Sequence, residues 1–394
     1  LYIVQRTQST GFKSLMSLEQ IADHCTICHK CLLKCPVKID SGEISVSERE
    51  ILANRKFKHT PVTTKLALNY LSSRHRGLNR MVREGVFKPA SLLQPLASKL
   101  FGRALPFETL KSPVSHLSRN NLYDILPHVA DNQALVLEPA EAAEYTVMYF
   151  PGCGSERLFS DISKACIYGL LKHRTRVVLP PPFLCCGYPS KVNARTDEYQ
   201  RLMLQNAIIF SQIRDMFSDL EFNACVVSCG TCMEALKNFN AQNIFSTRIE
   251  DVFAFLHRNT PAFSLGGNFY YHAPCHDSMN GKAIEMLRSG KTSESICHIP
   301  HCCSEAGTMS MSRPGISNAM LDRKSSLLSQ LAGVNPDKKV IVTNCPSCIQ
   351  GLGRLRSSGV SAMHMMVAWA QNLSGRHWEH EMKKMIRAYE VVNF

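Results

Sequence analysis

From residue 144 onward, short runs of apolar, β-branched and aromatic residues alternate with longer stretches of helical period. The short runs, 145–150, 176–179, 224–227, 268–272 and 339–343, predict strands. The long stretches, 197–216, 249–256, 314–331 and 360–371, repeat their apolar residues every three or four positions and predict helices. Strands alternating with helices pack as a parallel sheet covered by helices, so the expected fold class is α/β. In such sheets ligands lie beyond the carboxyl ends of the strands.

The pattern differs over residues 51–103. Leu66, Leu68 and Leu71, then Leu78, Met81 and Val82, then Leu92, Leu93, Leu96 and Leu100 recur at helical spacing among eleven basic residues and one acid, Glu84. Basic amphipathic helices are predicted, able to meet an anionic bilayer from the side, an acidic partner domain, or only solvent. Nucleic acid is set aside as a partner, because no helix-turn-helix, zinc-finger or aromatic-interleaved pattern accompanies the charge. No apolar run approaches the roughly 18 to 20 residues of a membrane span.

The second half contains a repeat. One unit reads Phe150-Pro151-Gly152-Cys153, then Cys185-Cys186-Gly187-Tyr188-Pro189, then Ser228-Cys229-Gly230-Thr231-Cys232. The other reads His272-Ala273-Pro274-Cys275, then Cys302-Cys303-Ser304-Glu305-Ala306-Gly307, then Asn344-Cys345-Pro346-Ser347-Cys348. Equivalent cysteines recur about 120 residues apart, so two copies of one domain are expected. All six thiol clusters occupy the loop position where α/β sheets bind ligands, or one close to it.

Composition becomes informative at this point. The 394 residues are 45% hydrophobic and 20% charged, with a net charge of +13 largely accounted for by the basic segment, which suits an ordinary globular chain of two to three domains. Seventeen cysteines are too few for a small disulfide-framed secreted protein and too clustered for scattered core residues. The start, Leu1-Tyr2-Ile3-Val4-Gln5-Arg6, has no basic segment followed by a long apolar one. A reducing, cytoplasmic setting is expected, with peripheral contact at the inner face of a membrane as one use of the basic helices.

The strongest local motif is Cys25-Thr26-Ile27-Cys28-His29-Lys30-Cys31-Leu32-Leu33-Lys34-Cys35-Pro36, the bacterial ferredoxin spacing of a 4Fe–4S cluster. Zinc is the competing metal, though closed zinc sites favour two separable ligand pairs. In two-cluster ferredoxins the fourth cysteine of such a run serves the other cluster. Cys35 therefore either closes a single cluster here or pairs with a motif upstream.

Each repeat supplies five thiols: Cys153, Cys185, Cys186, Cys229 and Cys232, then Cys275, Cys302, Cys303, Cys345 and Cys348. Five exceed what one zinc ion accepts, and adjacent side chains diverge, so a Cys-Cys pair suits two irons of a cluster better than one small ion. A redox disulfide between vicinal thiols is the alternative. The remaining Cys166, Cys225 and Cys297 are read as small buried hydrophobes. His272, His276 and His301 stand beside the thiols as candidate donors to sulfur or carriers of protons. The stretch Met363-His364-Met365-Met366 reads as helical core. No dinucleotide fingerprint or P-loop follows any strand.

These units resemble the cysteine-rich CCG domains of heterodisulfide reductases and of the glycolate oxidase iron–sulfur protein. They look most like the C-terminal iron–sulfur part of FAD-linked D-lactate dehydrogenase-like oxidoreductases. The resemblance implies one or two further iron–sulfur clusters in the repeats and FAD only on an upstream or partner domain. It also implies passage of electrons from a 2-hydroxy acid to a quinone or protein acceptor. A flavin domain encoded upstream is expected, since the chain starts at Leu1. The alternative is a heterodisulfide-type reductase acting at the repeat clusters. Ser304 departs from the motif, which has Gly there, and this puts the second cluster in question. The expected organisation is a ferredoxin-like helical cluster domain (1–50), a basic helical linker region (51–143), and two CCG domains (144–261 and 262–394) related by pseudo-two-fold symmetry.

Overall fold

The computed structural model describes residues 12–87, 89, 117–118, 120–260, 265, 268–288, 296–305, 308–334 and 340–394. Among the described residues ten strands form two sheets. β1 (Gln133–Leu137), β2 (Tyr145–Phe150), β3 (Thr175–Leu179), β4 (Ala224–Val227), β5 (Ile249–Asp251) and β10 (Tyr389–Asn393) make the first, in the order β10-β1-β3-β2-β4-β5. β6 (Phe269–Tyr271), β7 (Ile296–His298), β8 (Val340–Thr343) and β9 (Ser361–His364) make the second, in the order β7-β6-β8-β9.

The parallel cores of the two sheets have one topology. β3-β2-β4-β5 and β7-β6-β8-β9 are paired in parallel throughout, and in each the second strand of the row precedes a lone cysteine. The repeat seen in the cysteines is thus a repeat of the fold. The first sheet alone is extended, by β1 antiparallel to β3 and by β10 antiparallel to β1 over five residue pairs.

Polar contacts repeat with the strands. Tyr149 Oη lies 3.1 Å from Ser228 Oγ, and at the equivalent place Tyr271 Oη donates to Asn344 Oδ1 at 3.2 Å. The two repeats also meet reciprocally. A Cβ on Gly154 would lie 2.8 Å from the Pro346 ring, and one on Gly230 would lie 1.7 Å from the His276 carbonyl oxygen. Because Gly154 corresponds to His276 and Gly230 to Pro346, these are one contact made twice, as a pseudo-two-fold axis requires. Only a residue without Cβ lets the backbones approach this closely at Gly230.

Two of the predicted helices, 249–256 and 360–371, each begin with a strand instead. β5 runs into the helix Val252–Asn259, and β9 runs into Met365–Ser374. In both, the last strand residue caps the helix: Asp251 Oδ1 accepts from Phe253 N at 2.8 Å and His364 Nδ1 from Met366 N at 3.3 Å. A strand of three or four residues ending in its own cap leaves too little period-2 pattern to register. Met365 and Met366 are buried core and His364 lies in the strand. Cys166 and Cys225 are buried, whereas Cys297 is half-buried because β7 is an edge strand.

Strand alternation divides the core. Val147, Tyr149, Val177, Tyr271 and Val342 face one apolar cluster, which includes the helix Ser160–Lys172 and the C-terminal helices. Met148, Phe150, Val178, Val227, Tyr270 and Ile341 face the other, which contains most of the repeat thiols.

At the N-terminus the helices Phe12–Ala22 and Ser41–Asn54 enclose a small core of Leu15, Leu18, Ala22 and Leu52. The buried Arg49 ties this unit down, donating to Ala22 O (3.0 Å), Cys25 O (2.9 Å) and Val192 O (2.6 Å). The basic segment forms the helices Val62–Ser72 and Arg76–Val82 as predicted. Leu92, Leu93, Leu96, Leu100, Pro261, Ala306, Gly307 and Lys339 lie outside the described residues. Among the described residues no helix is long and apolar enough to cross a membrane.

Candidate metal centre

Every repeat cysteine sits where its strand ends. Cys153 follows β2, Cys185 and Cys186 follow β3, and Cys229 and Cys232 bracket the first turn of the helix Gly230–Asn238 after β4. Cys275 follows β6, Cys302 and Cys303 follow β7, and Cys345 and Cys348 do the same on the helix Pro346–Leu352 after β8. Parallel strands all end on the same side of their sheet, so five residues far apart in sequence converge.

The sulfurs form one continuous row. Cys153 and Cys185 lie 3.7 Å apart. Interactions between neighbouring sulfurs then run from Cys185 to Cys186, Cys232 and Cys229. They cross to Cys345, continue through Cys348, Cys303 and Cys302, and reach Cys275 and finally Cys28. All seventeen cysteines are free thiols. Both five-thiol sets predicted from the sequence are therefore brought together, and they meet at Cys229 and Cys345.

Such crowding changes thiol chemistry. Cys153, 3.7 Å away, holds Cys185 well below the ordinary thiol range, and Cys275 likewise holds Cys302 down to about 2. Cys185 and burial push Cys153 up, and Cys28, Cys302 and burial push Cys275 up. Cys28 is lowered to about 5, chiefly by the Cys275 thiol. Thiolate is the ligand form of cysteine, and a soft sulfur donor set suits iron–sulfur clusters or zinc. Backbone amides already point at the sulfurs: Gly187 N donates to Cys185 Sγ at 3.5 Å and Ser304 N to Cys302 Sγ at 3.4 Å. Sulfurs buried throughout the first set, and buried at Cys303, Cys345 and Cys348 of the second with Cys275 and Cys302 half-buried, with amides aimed at them, fit an iron–sulfur cluster.

Ser304 keeps the conformation of the glycine it replaces. Its φ is 68° against 80° at Gly187, and Arg354 Nη2 donates to its Oγ at 2.9 Å. The departure from the motif therefore leaves the amide-to-sulfur bond in place.

The N-terminal run is arranged differently. Cys25 Sγ accepts from Ile27 N and Cys35 Sγ from Ile39 N, both at 3.3 Å, while the exposed Cys31 meets Ser41. Among the described residues no hydrogen bond joins two of the four sulfurs, and Cys28 turns to Cys275.

Sequence reasoning passes over His29, Asp40, Glu234 and Lys324, which all gather beside the thiols. His29 Nδ1 lies 2.7 Å from the Asp40 carboxylate, and its ring packs edge-on against His276, ring centroids 5.3 Å apart. His276 contacts Glu234 at 2.6 Å and Tyr188 Oη at 2.9 Å. Burial opposes a charge on His276, but the Glu234 carboxylate outweighs it and raises the imidazole above its ordinary range. In the second repeat Lys324 is buried and its Nζ lies 3.0 Å from His272 Nδ1. The available signal was Lys324 itself, a lysine in the apolar stripe of Leu321 and Leu328. His301, by contrast, contributes its carbonyl to Lys324.

Paired α/β domains with converging thiols at their strand ends define a metal-binding iron–sulfur protein. Residues 147–237 and 269–353 match the CCG cysteine-rich domain family, so the chain carries two CCG domains. The chain is 26% identical over 332 residues to an iron–sulfur protein of Methanocaldococcus jannaschii, covering 82% of this chain and 55% of that one. It is 27% identical over 218 residues to an iron–sulfur protein of Methanococcus maripaludis, covering 53% and 41%. It is 24% identical over 245 residues to lactate utilization protein A of Exiguobacterium sp., covering 56% and 94%. The chain thus spans about half the length of the first two relatives.

Proposed function

We propose that this chain is the iron–sulfur electron-transfer module of a flavin-linked 2-hydroxy-acid dehydrogenase. Cys25, Cys28, Cys31 and Cys35 hold a 4Fe–4S cluster, and each five-thiol set holds a further cluster. Electrons arrive from an FAD-containing dehydrogenase domain or subunit and leave to a quinone or redox-protein acceptor. The observation that carries this reading is the contact of Cys28 with Cys275, which joins the N-terminal run to the row of repeat sulfurs.

A bound cluster supplies one-electron transfer at a potential set by its surroundings. The chain's own residues bury the sulfurs, donate amide hydrogens to them and hold the units in register. Relatives named as iron–sulfur proteins and as a lactate utilization protein support the redox reading. The reductase alternative needs a substrate cleft between the repeats, and contacts of Cys229 with Cys345, Gly154 with Pro346 and Gly230 with His276 close that junction.

Protein purified without oxygen is expected to be brown, with iron and acid-labile sulfide in comparable amounts. Colourless protein with stoichiometric zinc would overturn the proposal.

A further inference from the structure

The two thiol sets are alike in their cysteines and unlike in what stands behind them. In the first repeat β2 ends in Phe150, and the eleventh residue of the helix Thr196–Met216 is Asn206, whose Nδ2 donates to Cys185 O at 2.8 Å. In the second, the equivalent of Phe150 is His272, and the eleventh residue of the helix Pro314–Val334 is Lys324. Both are buried, at 1% and 0% exposure.

An imidazole nitrogen of His272 and the sulfurs of Cys303 and Cys348 all lie within 4.8 Å of one another. Lys324 donates to His272 Nδ1 and to His301 O, each at 3.0 Å. An ammonium group has three hydrogens and no lone pair, so Nδ1 must accept and the imidazole proton sits on Nε2. That Nε2 is buried without a hydrogen-bond partner among the described residues. Among the described residues two donors, Nε2–H and the third ammonium hydrogen, are therefore left unpaired in a buried region beside the second set.

The charge also lacks a carboxylate partner among the described residues. Each repeat has an arginine acting on a buried glutamate near its thiols, Arg157 with Glu156 and Arg354 with Glu305, the latter pair 3.2 Å apart. Lys324 has no carboxylate ion-pair partner among the described residues, and the thiols acting on it are Cys303, Cys348 and Cys302. A buried cation requires a compensating negative charge, and thiolate-ligated iron and sulfide provide one.

Resting on the electron-transfer reading above, we propose that His272 and Lys324 form a cationic, hydrogen-donating cradle for the second repeat's cluster, making it the more easily reduced of the two repeat clusters. Reduction adds one electron, from the N-terminal cluster in the protein or from dithionite in an assay, and breaks no bond. Hydrogen bonds and positive charge at the sulfurs favour the added electron.

The test is a dithionite titration of the anaerobically purified protein, followed by electron paramagnetic resonance. Lys324→Met and His272→Phe, the second borrowing the first repeat's own side chain, should each lower the higher repeat-cluster midpoint. The expected loss is about tenfold in the reduction equilibrium, or about 59 mV for one electron, with the lower midpoint unmoved. Lys324→Arg, which keeps the charge, should hold the higher midpoint near its original value. Iron lost from Lys324→Met and restored in Lys324→Arg would support the cradle too. Unchanged midpoints in both neutral variants at full iron content, or movement of the lower midpoint instead, would overturn it. Absence of iron from the unmodified protein would refute the electron-transfer reading itself, a different and separable result.

Discussion

Arg49→Met isolates what holds the N-terminal run against the repeats. The substitution keeps an unbranched apolar stem of similar length and removes the guanidinium that binds three backbone carbonyls, those of Ala22 and Cys25 where the first helix ends and that of Val192 in the first repeat. Hydrogen bonds from a charged donor contribute about 1.5–3 kcal/mol each. Some of that is recovered, because Asp23, 3.0 Å from Arg49, keeps Lys58 at the same distance. The net cost is expected at about 3–5 kcal/mol, as for breaking a buried ion pair. That is more than the small core of Leu15, Leu18, Ala22 and Leu52 can readily absorb. Native-state hydrogen exchange is the suitable assay, since it reads each element separately. Protection of Phe12–Ala22 and Ser41–Asn54 should fall while that of β4 stays unchanged. If exchange in those two helices moved by less than about 1 kcal/mol, Arg49 would not be the tie described here.

Cys28→Ala should remove one cubane resonance signal and block reduction of the repeat clusters by the physiological donor, while dithionite still reduces them. Full donor-driven reduction would mean that the run is not the entry point. Gly230→Ala places a methyl group on the His276 carbonyl, so it should lower the thermal midpoint and loosen the Cys229–Cys345 contact; a wild-type melting curve would contradict that reading of the junction. Burial raises Asp251 to about 7 from a usual 3.8. The folded protein therefore binds more protons than the unfolded chain between about pH 4 and 7, and this group's contribution to stability falls as pH rises through that window. Asp251→Asn, which can still cap Phe253, should flatten that slope in melts from pH 4 to 8, and an unaltered slope would assign the titration elsewhere.

The cysteine spacing carried most of the site, because vicinal and C-x-x-C thiols at strand ends leave a pattern that survives without coordinates. Convergence of five thiols per set followed from the strand-end position, with burial complete in the first set and partial at Cys275 and Cys302 in the second. What stayed hidden was contact between segments remote in sequence: Cys28 against Cys275, His29 against His276, Lys324 against His272. Nothing in a linear chain says which thiol of a ferredoxin run will face another domain. In sequence the strands β5 and β9 look like the first turns of helices, because each gives way to its cap after three or four residues. The pairing of β1 with β10 leaves no local trace either, since the two strands lie at opposite ends of the repeat region.

The pairing of β10 with β1 makes the architecture a clasp. The chain leaves the first sheet at β5, builds the whole second repeat, and then returns its last strand to the first sheet, beyond the strand that opened it. The second repeat is thus spliced into the first rather than hung from it by a tether. Tyr168, on the helix Ser160–Lys172, reinforces the return by packing on Trp369 and Trp378. Swinging the two repeats apart would require peeling off a five-residue strand and unseating those aromatics together. A relay whose two halves touch sulfur to sulfur needs a spacing that does not breathe, and fastening the chain's last strand beside its first keeps that spacing fixed.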